Sequence, residues 1–599
     1  MQIWRAPLDA MRFLLFETLD FEGRIRALPR FAELDRETVA AVLEEAARLA
    51  AERLLPLNAR GDREGLRFEG GAVRMPSGFR EAYRLFAAGG WCGLTIDPAY
   101  GGQGLPQVLQ VAVSEMISAA NMAFGITPGL SQGAAHALEL WGRPEQKARL
   151  LPKLASGEWS GTMCLTEPQA GSDLGLIRTR AEPAGGDRFR ISGTKIFISA
   201  GEHDLTDNIL HLVLARLPDA PWGTRGISLF AVPKYRLAPG GGPAAQNGVR
   251  CTGIEEKMGL HASPTCTLVF EEAEGELVGP PHGGMKAMFS MMNAARLLVG
   301  VQGLGLAETA CQSAVAHAGE RLQGRAPAAA QRPDLPADPI IHHPDVREML
   351  YAMRARIEPA RALALEVGMM IDRAQHAPDP GARRAAEDFA ALMTPVIKAH
   401  FTDFALEAAL TAQQVHGGYG YIREQGIEQL VRDVRITTIY EGTNGIQALD
   451  LLGRKLPAGS GRMLRRFFHP LEDFLARHRD APALGALLPA LEKAFGRLQR
   501  ASLELARRGL ADPGEAAGVA RDYLALFALV ALGWMWARML CALAARGEAA
   551  PPALRRSWPH LARYYHARVL PLSATLFARI MAGSGLLALE GVAPGARSR

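Results

Sequence analysis

Cysteine is scarce and never paired. Six residues (Cys92, Cys164, Cys251, Cys266, Cys311 and Cys541) are scattered over 599, with no Cys-x-x-Cys and no cluster at metal-ligand spacing. A disulfide framework and a zinc ribbon are thereby excluded, and the thiols read as buried apolar residues in a reducing compartment. His342-His343 sits beside Pro344 in a linker, and Asp345 does not complete a ligand spacing, so no metal is expected. A strong charge of one sign is also missing. The 67 basic and 62 acidic residues leave +5 at pH 7, an excess that suits a small anionic ligand and gives no ground for nucleic acid. Phosphate-binding glycine loops are absent as well. Gly418-Tyr419-Gly420-Tyr421-Ile422-Arg423 breaks G-x-G-x-x-G at its last position, Gly303-Leu304-Gly305 follows no strand, and Gly279 to Lys286 misses a P-loop. Any nucleotide must be held some other way.

Addresses and spans are lacking too. The apolar run Phe13-Leu14-Leu15-Phe16 is too short for a signal peptide and Asp9 precedes it. The terminal Gly-Ala-Arg-Ser-Arg is not the Ser-Lys-Leu type of address. The expected location is the cytoplasm. Tyr523 to Ala537 is apolar throughout but ends at Arg538, and its fifteen residues fall short of the roughly 18 that a spanning helix needs. A core helix of a C-terminal bundle is expected, with no integral membrane span.

What is present is ordinary for a soluble globular protein: 48% hydrophobic and 22% charged residues. The length accommodates three or four domains at about 150 residues each. Residues 1–160 read as helical, with Asp35 placed to cap the helix containing Thr38, and with a glycine-rich loop at Tyr100 to Pro106. Residues 161–283 turn to short β-rich runs, among them Phe189 to Ile198, Asn208 to Leu217, Gly226 to Tyr235 and Pro264 to Phe270. Residues 284–456 are helical again, interrupted by the Pro/Ala-rich linker Gly324 to Pro339, and 457–599 form a last helical region. The expected fold is mainly α with a central small antiparallel β domain.

The densest chemistry lies in Gln413 to Asp450. Its glycine cluster, His416-Gly417-Gly418-Tyr419-Gly420, lets a ligand or another surface approach the backbone. Glu441 stands between an apolar run and a glycine turn, where desolvation raises a carboxyl pKa and suits it to act as a base. A helix-end Glu capping a turn has the same local sequence.

This stretch closely resembles the C-terminal signature of the acyl-CoA dehydrogenases, in which the Glu of Tyr440-Glu441-Gly442-Thr443 removes the substrate's α-proton. Gln414-Val415-His416-Gly417-Gly418 stands where that family has its flavin-contacting Gln-x-x-Gly-Gly. Thr166-Glu167-Pro168-Gln169-Ala170-Gly171-Ser172-Asp173 resembles the family's Thr-Glu-Pro-x-Ala-Gly-Ser-Asp. The resemblance implies a helical, β, helical fold with a C-terminal helical bundle, FAD as cofactor and an acyl-CoA substrate. It implies that Leu165 and Thr166 contact the flavin ring and that Ser172 lies near the pyrophosphate or the substrate. Phe197-Ile198-Ser199 replaces the family's Trp-Ile-Thr, so Phe197 and Ser199 are expected at the flavin with altered stacking. Thr443 is expected at the cofactor and Gly442 at the substrate. Gln414, Gly417, Gly418 and, as an approximate match, Arg321 would complete a neighbouring subunit's flavin, which requires a homodimer or homotetramer. Arg296 matches an Arg that positions Glu and substrate, and Ala295 beside it leaves Glu441 as the base. An electron-transfer flavoprotein would accept the electrons.

The N-terminal Ile3 to Leu14, the Pro-rich insertion and the C-terminal appendix look like the long bacterial branch that includes fatty acyl-CoA and 3-methylmercaptopropionyl-CoA dehydrogenases. Two alternatives share this resemblance. An acyl-CoA oxidase would pass its electrons to oxygen. A DNA-binding relative like the alkylation-response flavoproteins would need a basic face, hinted at by Arg462, Arg465, Arg466, Arg555 and Arg556.

Overall fold

Alternating and apolar runs between residues 159 and 278 become the seven strands of one sheet: β1 Trp159–Cys164, β2 Arg180–Pro183, β3 Arg188–Ser199, β4 Asn208–Arg216, β5 Ile227–Pro233, β6 Val249–Ile254 and β7 Thr265–Val278. They belong to a computed structural model that describes residues 2–238, 242–585 and 587. The terminal Gly595 to Arg599, read above for its address, lies outside the described residues. The chain divides into two compact units, Val42–Leu298 and Met1–Ala41 with Val299–Arg599.

In the first unit β3 pairs antiparallel with β7 and β2, β7 with β6 and β5, and β5 with β4. β1 runs parallel to β4, and β2 touches β4 in parallel through Arg180 and Arg216. Because β5 joins both β7 and β4, the sheet closes on itself through β7, β3, β2 and β4. The sequence suggested an antiparallel sheet; most pairings are, and the parallel ones arise because β1 returns beside β4 only after β2 and β3. β4 is apolar at every other position on both faces. Val213 and Ala215 enter one core with Ile191, Ile198, Phe230 and Phe270. Leu210, Leu212 and Leu214 enter another with Leu138 and Leu151 of the helices Gln107–Trp141 and Pro144–Ala155. A strand buried on both faces reads as a continuous apolar run. The otherwise helical N-terminal region also carries a small hairpin, Arg67–Glu69 against Ala72–Arg74.

The second unit is built on the long helices Pro344–His376 and Pro380–His416. Ala520–Arg546 packs on both of them, and on Leu487–Ala511 and Leu572–Ala582. Trp536, fully buried, donates its indole N–H to Ala355 O at 2.9 Å. The helix is longer than its apolar run: Ala520, Arg521 and Asp522 precede it, and past Arg538 a mostly apolar stretch continues it to Arg546. Gln107–Trp141 and Ala520–Ala549 are long and apolar enough to cross a membrane, yet 89% and 83% of their apolar windows are buried inside the protein. The Pro-rich linker has no regular element but is ordered by Asp338, which accepts from the backbone N–H of Ala326, Gln331 and Arg332 at 2.7 to 3.0 Å.

Candidate functional site

In the helical unit, Glu441 sits on the turn between the 3₁₀ segment Ile436–Thr438 and the helix Asn444–Asp450. Its φ is +55° and that of Gly442 is +84°, so two successive residues occupy left-handed space. For a non-glycine this costs about 1–2 kcal/mol, and the flanking contacts hold it. Thr443 caps the helix, accepting from Ile446 N at 3.3 Å. Buried Asn444 donates to Ala399 O (3.1 Å), Thr402 Oγ1 (2.9 Å) and Asp403 Oδ1 (2.8 Å), and accepts from buried Lys398 Nζ (2.9 Å). Gln447 Nε2 donates to the carbonyls of Glu441 and Gly442, both at 3.2 Å. Before the turn, Tyr440 donates its hydroxyl to Gln302 Oε1 at 2.5 Å. Burial and then the Glu441 charge push that hydroxyl's pKa up, keeping it a donor. Glu441 itself is half-buried. The turn is thus clamped on both sides to the helix that follows and to the helices beneath it.

The same unit brings Arg321 beside the glycine cluster. Arg321, Gln323, His317, His416, Gly417, Gly418 and Tyr419 line a cavity of about 470 Å³ with Ile340, Val415 and Ile422. The Arg321 guanidinium lies 6.0 Å from the centre of the Tyr419 ring. In the sequence Arg321 was only an approximate motif match, far along the chain from the glycines. His317 and His416 stack at 4.2 Å. His416 Nδ1 donates to Ala412 O at 2.7 Å. Burial lowers both pKa values; Arg321 lowers that of His317 further, and His317 lowers that of His416. Gln414 is exposed and outside the cavity lining, at the end of Pro380–His416.

In the β unit, Leu165 and Thr166 are half-buried on the loop leaving β1. Lys195 of β3 pins this loop: its ammonium, fully buried, donates to Leu165 O (3.0 Å) and to Glu167 Oε1 (2.8 Å). Thr166 O accepts from Ile196 N at 3.0 Å. Glu167, 4% exposed, also accepts from Thr179 N (3.1 Å), Thr179 Oγ1 (2.6 Å), Arg178 N (2.7 Å) and Gln169 Nε2 (2.7 Å). Burial alone would raise its pKa; Lys195 and these donors overcome it and lower it to about 2. Opposite β7, β3 carries one extra residue between Lys195 and Ile198. At this bulge Phe197 takes φ +58° and is 60% exposed, so the kink turns its ring outwards. Ser199 is half-buried at the strand end, and Ser172 is exposed on the loop before the turn that Asp173 caps. Arg296 is buried, its guanidinium 5.9 Å from the centre of the Phe289 ring, where a lone helical Arg would ordinarily be solvated.

Sequence reading therefore located the loop, the glycine cluster and the Glu441 turn. It missed their supports: Lys195, Asn444, Tyr440 and His317. Lys195 gave little signal, since its strand also carries Arg188, Arg190, Ser192 and Thr194.

Models of the acyl-CoA dehydrogenase N-terminal, middle and C-terminal domains match residues 36–158, 162–273 and 282–456, and one described as "Acetyl-CoA dehydrogenase C-terminal like" matches 467–589. The 3-methylmercaptopropionyl-CoA dehydrogenase of Ruegeria pomeroyi is 43% identical over 552 residues, 91% of this chain and 92% of that protein. The broad-specificity linear acyl-CoA dehydrogenase FadE5 of Mycobacterium tuberculosis is 35% identical over 79% of each chain. The structure of Caenorhabditis elegans ACDH-11 in complex with C11-CoA superposes with a TM-score of 0.78 at 21% identity, covering 95% of this chain and 92% of that one; at that identity it shows the fold alone.

Proposed function

The chain belongs to the acyl-CoA dehydrogenase family of FAD-dependent oxidoreductases, and from that premise we propose that it dehydrogenates 3-methylmercaptopropionyl-CoA or a similarly short acyl-CoA to the trans-2-enoyl-CoA, with Glu441 as base. One observation carries the reading: the carboxylate of the Tyr-Glu-Gly-Thr segment stands on a half-buried, left-handed turn locked by Asn444, Gln447 and Thr443. A base held this way loses little entropy in reaching a proton α to a thioester carbonyl. The residues present suit the cofactor. Leu165 and Thr166 are pinned at the surface of the sheet and Phe197 is turned outwards, and Arg321 beside Gly417 and Gly418 offers a cation and an open backbone to phosphates. FAD, when bound, supplies the acceptor for the hydrogen leaving Cβ.

Glu441 takes the α-proton, and its backbone N–H donates to the thioester oxygen where charge develops. Tyr440, held as a donor to Gln302, fixes the residue before the base. We assign Arg296 and Gly442 to the substrate. We assign Ser172, Ser199, Gln414 and Thr443 to the cofactor's margins, a homodimer as the smallest active assembly, and an electron-transfer flavoprotein as acceptor. The relative at 43% identity supports the thioether substrate; FadE5 favours a second reading, a broad range of linear chains. Anaerobic titration of the yellow enzyme with acyl-CoAs from short to long, including 3-methylmercaptopropionyl-CoA, tests both. Bleaching by the thioether and by short chains is expected. Equal bleaching along the series selects the second reading, and no bleaching by any acyl-CoA removes the dehydrogenase activity.

A further inference from the structure

Away from Glu441 and the glycine cluster, the helix Arg462–Arg477 presents Arg462, Arg465, Arg466, His469, Pro470 and Asp473 to a cavity of about 410 Å³. The arginines are unequally satisfied. Arg462 makes a two-pronged contact with buried Asp388, Nε to Oδ2 at 2.7 Å and Nη2 to Oδ1 at 3.0 Å. That carboxylate is thereby engaged, and Arg466 Nε lies 3.7 Å from it, beyond hydrogen-bond reach. Arg466 Nε is buried without a hydrogen-bond partner. Among the described residues Arg465 donates to a backbone carbonyl only, Ser460 O at 2.8 Å, and no carboxylate among them pairs with it. Of the three guanidinium groups, two lie near one carboxylate, Asp388, and Asp473 stands a turn beyond His469.

A buried guanidinium nitrogen with no acceptor costs free energy, and a guanidinium fork fits the oxygens of phosphate in a way a lone carboxylate does not exploit. We propose that this cavity is a binding site for a phosphate-bearing anion, with Arg465 and Arg466 as the principal donors and His469 as an additional one. Two sources share this chemistry: the phosphates of a coenzyme A thioester, which rests on the function proposed above, and a free phosphate compound, which does not.

The test titrates purified, flavin-loaded enzyme with sodium pyrophosphate at fixed ionic strength by calorimetry, in wild type, Arg465→Ala, Arg466→Gln and His469→Ala. Circular dichroism and melting temperature check each fold. Saturable binding in wild type that weakens at least about fivefold in Arg465→Ala and Arg466→Gln is the expected result, on the scale of one lost charge-assisted bond. Arg465→Ala removes only a contact to a carbonyl, so it stays informative if loss of Arg466 disturbs Asp388. A second arm compares KM for an acyl-CoA and its 3′-dephospho analogue. If the variants lose the preference for the 3′-phosphate, the anion is the coenzyme's. If that preference is unchanged while pyrophosphate binding is lost, the anion is a free phosphate compound. Absence of saturable pyrophosphate binding in wild type, or equal binding in the arginine variants, overturns the proposal whatever the enzyme's activity.

Discussion

Replacing Lys195 by Met should unfasten the loop that carries Leu165 and Thr166. Lys195 and Glu167 are both buried and 2.8 Å apart, and removing one member of such a pair costs about 3–5 kcal/mol because the other charge stays behind. Glu167 keeps four donors, from Arg178, Gln169 and Thr179, which places the cost near the lower end, about 3 kcal/mol. The direction of the Glu167 shift agrees: against burial, Lys195 and the other donors hold its carboxyl below the ordinary range, at about 2. The sign is fixed by the direction: a depressed carboxyl contributes fully above about 4.5, and that contribution is lost as the pH falls towards about 2. Urea unfolding at pH 7 and at pH 4, with FAD retention measured on a desalting column, checks both. Lys195→Met should be less stable by about 3 kcal/mol at pH 7 and should release FAD more readily. Its stability should also respond less to pH below 4.5, since the charge that depressed Glu167 is gone. Arg190→Ala, which breaks a solvent-exposed pair with Glu272, is the control and should cost under about 1 kcal/mol. A cost for Lys195→Met no larger than the control's, with FAD retained, would refute the reasoning.

Glu441→Gln should slow flavin bleaching by acyl-CoA about 10³-fold, within the range for loss of a general base, while the protein stays yellow; a stopped-flow decrease below tenfold would place the base elsewhere. Arg321→Ala should weaken FAD retention roughly tenfold, the worth of one charge-assisted bond, with an unchanged melting temperature because the side chain is exposed; equal retention on reconstitution with FAD would remove Arg321 from the cofactor site. Glu308 and Glu366 are also carboxylates for which burial raises the pKa and arginines outweigh it, Arg354 and Arg361 for the first and Arg24 and Arg538 for the second, lowering each to about 2. Acid unfolding followed by circular dichroism should therefore steepen between pH 4.5 and 2, and Glu366→Gln should flatten that part of the curve; a Glu366→Gln curve of wild-type steepness would contradict it.

Much of this was legible in the sequence because the relevant constraints are local. Glycine spacing, Pro-rich turns and the alternation from Phe189 to Ile198 announce their own backbone, and the strand Arg188–Ser199 and the helices Gly284–Glu320 and Pro380–His416 lie where those patterns put them. What could not be read depends on distant partners. The closure of the sheet through β5 needs its pairing with β7, which lies beyond β6 in sequence, and the parallel pairing of β1 with β4 needs two intervening strands to fold elsewhere. Arg321 and Gly417 are neighbours only because Gly284–Glu320 ends beside the C-terminus of Pro380–His416. The bulge at Phe197 is silent in the sequence, since an extra residue shows only against the register of β7.

Backbone strain falls on two of the candidate residues, one in each unit. Nine non-glycine residues among those described have positive φ. Several, such as Asp20, Asp219, His282 and Ser460, are small or polar types that visit this region at modest cost or sit in turns. Phe197 and Glu441, like Leu260 and Glu272, are of types that do not favour left-handed space, and both are held there by contacts around them. For Phe197 the supports are the bulge and the Lys195 anchor two residues before; for Glu441 they are Gln447 on its own carbonyl and Asn444 three residues on. Strain of this kind persists only when its surroundings enforce it. The enforcing residues are buried and polar, which makes them expensive to keep unless position matters. Lys195 and Asn444 therefore hold geometry as well as fold, and substitutions there should lower FAD retention and bleaching rate along with the melting temperature.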